Sequence, residues 1–149
     1  MPRITIALPP SFIFSTEIAV RITDINYGNH VGNDALLGMV QEARVRFLAS
    51  HGWSEKEVGG AGGPGIIMAD AAVVYLAQVR YGQTLRVEIG VAEPSRVGCT
   101  LVYRITDVAS NREVAHVSTG IAFFDYGTNR VARMPEPFRA LLPAEPAGQ

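Results

Sequence analysis

Ten residues, Asp24 to Asn33 (DINYGNHVGN), gather three asparagines, two glycines, an aspartate and a histidine. They lie between a β-like run and an apolar helical pattern. A helix that starts near Asn33 aims its unpaired N–H groups and the positive end of its dipole back at residues 26–32. Gly28 and Gly32 allow the backbone to approach a ligand closely. An acyl carbonyl placed there would be polarised by preorganised donors, as in an oxyanion hole. His30 is the candidate titratable catalyst of the stretch, because imidazole charges near neutral pH. The same residue types can also do no more than turn and cap the chain, with the histidine bonded to the loop backbone.

Glu42 is the second candidate. A carboxylate two and a half turns into an apolar helix is costly to desolvate, and desolvation favours the protonated form. That environment suits a group that takes up a proton. The alternative is an i,i+4 ion pair with Arg46 on a wet face, worth about 0.2–0.5 kcal/mol. His51 falls at a helix C-terminus, where it complements the dipole, and His116 falls in a late strand as a surface or subunit contact. Cys99, in a strand, reads as a small buried hydrophobe. No G-x-S-x-G elbow is present, and the dispersed histidines make no metal set. No cofactor is expected.

The elements that position these residues follow from periodicity. Residues 11–23 read as a first strand. A helix is expected from Asn33 to about Ser50, with Asn33 or Asp34 as N-cap and Gly52 just past its end. Leu36, Val40, Ala43 and Phe47 form its apolar stripe, widened by Leu37 and Leu48. Ala35, Gly38, Met39, Val45 and Ala49 leave little polar face, so burial on several sides is expected. GGAGGPG (59–65) reads as a glycine loop or lid that could border an acyl tunnel. It lacks the order of a phosphate-binding loop. Four further strands at 66–79, 84–93, 98–108 and 113–126 are separated by turn signals, giving an antiparallel meander. The class is α+β, one long helix covered by a single curved sheet. Exposed sheet edges predict a homodimer.

Composition narrows the classes. The 149 residues suit one domain, with the tail PAEPAGQ from about 143 read as disordered. A net charge of −1 with 13 scattered basic residues gives no basis for binding nucleic acid or an acidic membrane. A single cysteine suits a reducing compartment. Neither a targeting segment nor an apolar span is evident, and a soluble cytoplasmic protein is expected.

The stretch VRITDINYGNHVGNDALLGMVQEAR resembles the polar loop and central helix of hotdog-fold acyl thioesterases, the 4-hydroxybenzoyl-CoA thioesterase-like group and the plant acyl-carrier-protein enzymes. That family commonly reads V-R-x-x-D-x-D-x-x-G-H-V-N-N, followed by a helix with an E-A-R-like segment. VVYLAQVRYGQTLRVEIGV is similar to a family strand pair, and FFDYGTNRVARMPEPFR to its closing strand and short final helix. Coverage is about residues 15–142. The resemblance implies a hotdog fold and hydrolysis of an acyl-CoA or acyl-carrier-protein thioester by a homodimer or homotetramer. His30 and Asn33 match the family histidine and last asparagine, and Asp24 its earlier aspartate. Asn26 stands where many relatives carry the catalytic aspartate, and an amide cannot act as a base. The resemblance therefore shifts the catalytic carboxylate to Glu42, as general base or nucleophile, with Asn26 and His30 orienting water or carbonyl. Asp24, Gly28, Asn29, Gly32 and Asn33 would shape the substrate site. Arg80, Arg96 or Arg130, near turns, could meet CoA phosphates, although each is also an ordinary solvated arginine. Two other readings stay open: a hydratase or dehydratase of the same fold, and a non-catalytic acyl-CoA sensor.

Overall fold

The computed structural model describes residues 3–143; all but the first residue of the tail lies outside them. The chain runs β1 (Phe14–Ala19), a 3-10 turn (Ile22–Asp24), α1 (Asn33–Ala49), β2 (Gly65–Tyr75), β3 (Thr84–Ala92), β4 (Gly98–Asp107), β5 (Arg112–Asp125), β6 (Arg130–Val131) and α2 (Glu136–Arg139). The strands make one antiparallel sheet in the order β1-β3-β4-β5-β2, with β6 paired to the end of β5. It curves around α1. No helix among the described residues is long and apolar enough to cross a membrane.

Alternation builds the core. Leu85, Val87, Ile89, Leu101, Tyr103, Ile105, Val117, Ile121 and Phe123 are all buried at every second strand position, so one sheet face is continuous and apolar. The α1 stripe of Leu36, Val40, Ala43 and Phe47 is buried as its spacing predicts. Phe47 also meets the rings of Phe14 and Phe138 at 5.6 and 6.4 Å. Removing that ring by Phe47→Ala would cost about 3–5 kcal/mol. Arg44 is the charged exception on this face. It donates to Tyr103 Oη at 3.2 Å and to Glu55 Oε1 at 3.0 Å, and Tyr103 Oη bonds Thr119 Oγ1 at 2.8 Å.

Four features differ from the sequence expectation. The first strand is shorter, because the Asp24 carboxylate accepts the Arg21 N–H at 2.8 Å and tightens residues 22–24 into a 3-10 turn. Gly32, extended at φ −73 and ψ 159, is the N-cap of α1, and no side chain caps it. Asn33 and Asp34 instead occupy the first turn. Burial of α1 is one-sided: Leu37 and Val45 are 40% and 44% exposed, beside exposed Gly38, Gln41 and Arg46. Only β3, β4 and β5 form a meander. β2 crosses to the far side of β5, with a register shift between Met68 and Asp70, and leaves β1 and β2 as the open edges.

Candidate active site

The polar stretch folds into a narrow loop stitched at four points. Ile25 and Val31 form a bridge, the Gly32 N–H bonds Asp24 O at 3.1 Å, the Asn26 N–H bonds His30 O at 2.9 Å, and the Asn29 N–H bonds Asn26 O at 3.0 Å. Asn29 takes the left-handed conformation at φ 67, which asparagine tolerates better than most residues. Tyr27 projects fully into solvent at the tip. A further bond, Val31 N–H to Val79 O at 2.8 Å, ties the loop to the segment after β2.

The asparagine at 26 has a structural task here. Its Oδ1 accepts the Gly28 N–H at 2.9 Å. A Cβ at residue 28 would stand 3.2 Å from both Asn26 Oδ1 and His30 Nε2, so the glycine lets the imidazole fold across the turn. Asp24 is buried and holds the loop base, its carboxylate taken up by the Arg21 backbone and guanidinium.

Two clefts flank this loop and α1. The first is a cavity of about 300 Å³. Its floor is buried Leu36, Val79, Val114 and Ala115, and its rim carries His30, Asn33 and Tyr75. The first intrahelical bond, Leu36 N–H to Gly32 O at 3.1 Å, begins beside it. The second is a groove of about 190 Å³ lined by Ile18, Arg21, Asp24, Met39, Glu42 and Arg46.

Glu42 therefore sits in the charged groove, and its side chain is 52% exposed. Its Oε2 accepts Arg46 Nε at 2.9 Å, while Arg46 Nη1 donates to Thr16 Oγ1 at 3.0 Å and Glu17 O at 2.8 Å. The expected burial of this carboxylate is not what the single chain shows, because α1 is covered on one side only. Glu42 lies nine positions beyond Asn33, a rise of about 13 Å and a rotation of about two and a half turns. Glu42 thus faces away from the cavity mouth that Asn33 borders.

The other candidates divide the same way. Arg80 is exposed one residue beyond Val79, its N–H held by Gln83 Oε1 at 2.6 Å, on the cavity side. Arg96 lies in the turn after β3, about 30 Å along that nine-residue strand from the Arg80 end. Arg130 pairs with Asp125 at the far end of β5, equally remote from the cavity. The glycine loop stands at the start of β2, whereas the cavity lies at its end, so in one chain it borders no part of that cavity. It is closed by Val58 N–H to Pro64 O at 2.7 Å and leans on Pro135. Cys99 is buried, and burial pushes its thiol up to about 12, which removes it as a nucleophile. His51 stacks on Trp53 at 4.7 Å, and His116 lies 3.4 Å from Glu113 Oε1. Tyr75, Val114 and Ala115 escape sequence reasoning, because two chain segments 40 residues apart converge there with no local signal.

One long helix wrapped by a curved antiparallel sheet of this order is the hotdog fold. Residues 20–142 match the thioesterase-like superfamily, and the chain belongs to that family. Solved structures share the fold. A 1,4-dihydroxy-2-naphthoyl-CoA thioesterase from Synechocystis superposes with a TM-score of 0.77 at 21% identity, covering 87% of this chain and 94% of that one. A Thermus thermophilus thioesterase complexed with coenzyme A and Zn gives 0.72 at 20% identity, over 90% and 100%. A Staphylococcus aureus protein in complex with CoA gives 0.77 at 17% identity, over 95% and 92%. No curated protein matches the chain.

Proposed function

We propose that this protein hydrolyses an acyl thioester, with coenzyme A as the carrier. One observation carries the reading: an apolar cavity opens directly beneath a histidine and the start of a long helix. The acyl group occupies the cavity. Its carbonyl meets the amides and positive dipole end of α1, where charge on oxygen in the tetrahedral intermediate is stabilised. Water supplies the oxygen, and the carbon–sulfur bond breaks to release free acid and thiol. His30, at the rim, protonates the departing sulfur or holds the water. Membership of the thioesterase-like superfamily and the CoA held by two of the similar structures support the same choice of substrate. A carrier-protein thioester presents the same reacting atoms and is the other form of this substrate.

Glu42 is assigned as the carboxylate that activates the water. A general base must come within about 3 Å of the proton it takes, directly or through one water, and in one chain Glu42 faces the opposite side of α1. The assignment therefore includes a homodimer in which the Glu42 of one copy serves the cavity of the other. The open edge of β2, with exposed Met68, Tyr75 and Leu76 beside it, gives such a pairing its surface.

Release of free thiol from a panel of acyl-CoAs tests the reading, with wild type beside Glu42→Gln. The expected result is turnover that falls at least about a hundredfold in the variant, or about 2.7 kcal/mol. Turnover that survives in the variant removes Glu42 from the chemistry. The Asn26 amide, committed to the loop, and the Arg46-paired Glu42 favour one second reading, a non-catalytic acyl-CoA binder. Tight acyl-CoA binding without turnover, unchanged by Glu42→Gln, would establish it.

A further inference from the structure

A third cleft lies at the opposite end of β2 from the cavity beneath His30, where the glycine loop meets the turn after β5. Lys56, Gly62 and Gly63 line it from one segment, and Asp125, Tyr126 and Arg133 from another. The three clefts differ in charge. No aspartate, glutamate, lysine or arginine lines the cavity beneath His30. The groove along α1 carries Arg21 and Arg46, each bonded to a carboxylate of the same groove. Here, among the described residues, Lys56 and Arg133 make no ion pair. The acid in the lining, Asp125, accepts the Gly127 and Thr128 N–H groups at 2.8 and 3.2 Å, and Arg130 stands across β6 from it. Glu57, one residue beyond Lys56, accepts the Gly62 N–H at 3.1 Å. Both carboxylates at this end are thus held by backbone amides rather than by the two cations.

A pinned aromatic ring completes the cleft. Tyr126 donates its hydroxyl to Ile66 O at 3.2 Å, and its ring meets Phe124 edge-on at 5.1 Å. The residue is nevertheless 56% exposed. Gly65 makes this seat possible, since a Cβ there would come within 2.5 Å of the Tyr126 ring. A flat ring that is held in place and left open to solvent is a surface on which a nucleobase stacks. Lys56, the only lysine in the sequence, sits on a turn closed by two backbone bonds between Ser54 and Glu57, each 3.1 Å. Gly62, at φ 78, and Gly63 keep the glycine-loop side free of side chains, so a phosphate can reach the backbone as well as the two cations. Arg133 offers the planar fork that matches phosphate oxygens.

We propose that this cleft binds the phosphorylated adenosine end of coenzyme A, with Lys56 and Arg133 on the phosphates and the adenine on Tyr126. The proposal rests on the thioester reading for the choice of carrier. In one chain the cleft and the cavity stand at the two ends of β2, roughly 35 Å apart, too far for one carrier to reach both. Antiparallel pairing of two β2 edges about a two-fold axis sets the start of one strand beside the end of the other. The nucleotide held by one copy then delivers its acyl group to the cavity of the other. None of the exposed residues given to that pairing, Met68, Tyr75 and Leu76, lines the cleft.

The probe is adenosine 3′,5′-bisphosphate, which carries the base and the 3′-phosphate of coenzyme A without its thiol arm. Because the sequence has one lysine, acylation of Lys56 by an amine reagent can be followed on a single peptide by mass spectrometry. The bisphosphate should protect Lys56, and adenosine or inorganic phosphate at the same concentration should protect it far less. By calorimetry on the intact protein, Lys56→Ala and Arg133→Ala should each weaken bisphosphate binding at least about tenfold, the loss expected of a hydrogen bond to a charged group. Tyr126→Leu should also weaken it, through lost stacking. All three residues are exposed, and thermal melting shows whether each variant folds. In thiol release, the variants should raise KM for acyl-CoA, and the ratio of KM for acyl-pantetheine to KM for acyl-CoA should fall toward that of a protein blind to the nucleotide. No protection, or binding that both cation variants leave unchanged, overturns the proposal. Equal protection by inorganic phosphate does the same, since the cleft then holds an adventitious ion only. Bisphosphate binding that the variants lose, without turnover of any thioester, would keep the nucleotide site and overturn hydrolysis. Turnover whose KM for acyl-CoA the variants leave unmoved would keep hydrolysis and overturn the nucleotide site.

Discussion

The two faces of α1 carry different chemistry on the same seventeen residues. Toward the sheet, Leu36, Val40, Ala43 and Phe47 close the core, and the one charge among them, Arg44, is met by Tyr103 and Glu55. Away from the sheet, Glu42 and Arg46 bond each other in a wet groove, with exposed Leu37 and Val45 beside them. The apolar cavity belongs to the inner face. Glu42, the proposed base, belongs to the outer one. Burial decides what each charge is worth: an ion under the sheet must be satisfied by fixed partners, whereas an exposed pair is nearly free to part.

The largest effect expected from this contrast is on the inner face. Arg44→Ala removes a buried hydrogen bond to Tyr103 and leaves Glu55, which is still partly wet, without its cation. Loss of about 3 kcal/mol is expected, at the low end for breaking a buried pair, measurable by urea unfolding. A loss below about 1 kcal/mol would mean that the buried network contributes no more than a surface pair.

The second prediction tests whether the two faces meet across subunits. His30→Ala and Glu42→Gln should each abolish most thiol release. If each reaction centre takes its histidine from one copy and its glutamate from the other, mixed dimers contain one intact centre. Mixing the variants with subunit exchange should then restore about a quarter of wild-type activity, from half the dimers with one working site each. No recovery, with exchange demonstrated by mass spectrometry, would place both residues in one chain and move the reacting carbonyl to the Glu42 groove.

How much of this could be read beforehand differs between the faces too. The inner stripe was legible, because period 3.6 on a helix and period 2 on β3–β5 report a buried surface directly. The polar loop was legible from its composition as a tight, hydrogen-bonded turn leading into α1. The outer face misled, since Leu37 and Val45 look like core, and exposure of single apolar residues has no sequence signature. Asn33 and Asp34 looked like caps because their types cap well, but the loop was already closed by Asp24 O and His30 O, leaving Gly32 at the cap. The pairing of β2 with β5 was not legible, since strand order depends on contacts far apart in the chain. The cavity floor at Val114 and Ala115 depends on that same pairing.

A third, smaller effect concerns the loop base. Asp24→Ala leaves the Arg21 N–H without its carboxylate and loosens the 3-10 turn that leads into the loop. About 1–2 kcal/mol of stability should be lost. Activity should fall further than stability does, because the turn sets where His30 stands. Equal losses in the two would make Asp24 a scaffold residue only.

The smallest effect is expected at Arg46, and it is the most informative about Glu42. Arg46 makes three contacts, to Glu42 Oε2, Thr16 Oγ1 and Glu17 O, yet its side chain is 42% exposed. Exposed pairs contribute roughly 0–1 kcal/mol and weaken with salt, so Arg46→Ala should cost less than about 1 kcal/mol, and the cost should shrink at high ionic strength. A salt-independent loss above about 2 kcal/mol would mean that the pair is desolvated in solution. Since the isolated chain leaves it wet, the cover would have to come from another copy, and the outer face of α1 would then be the inside of an interface.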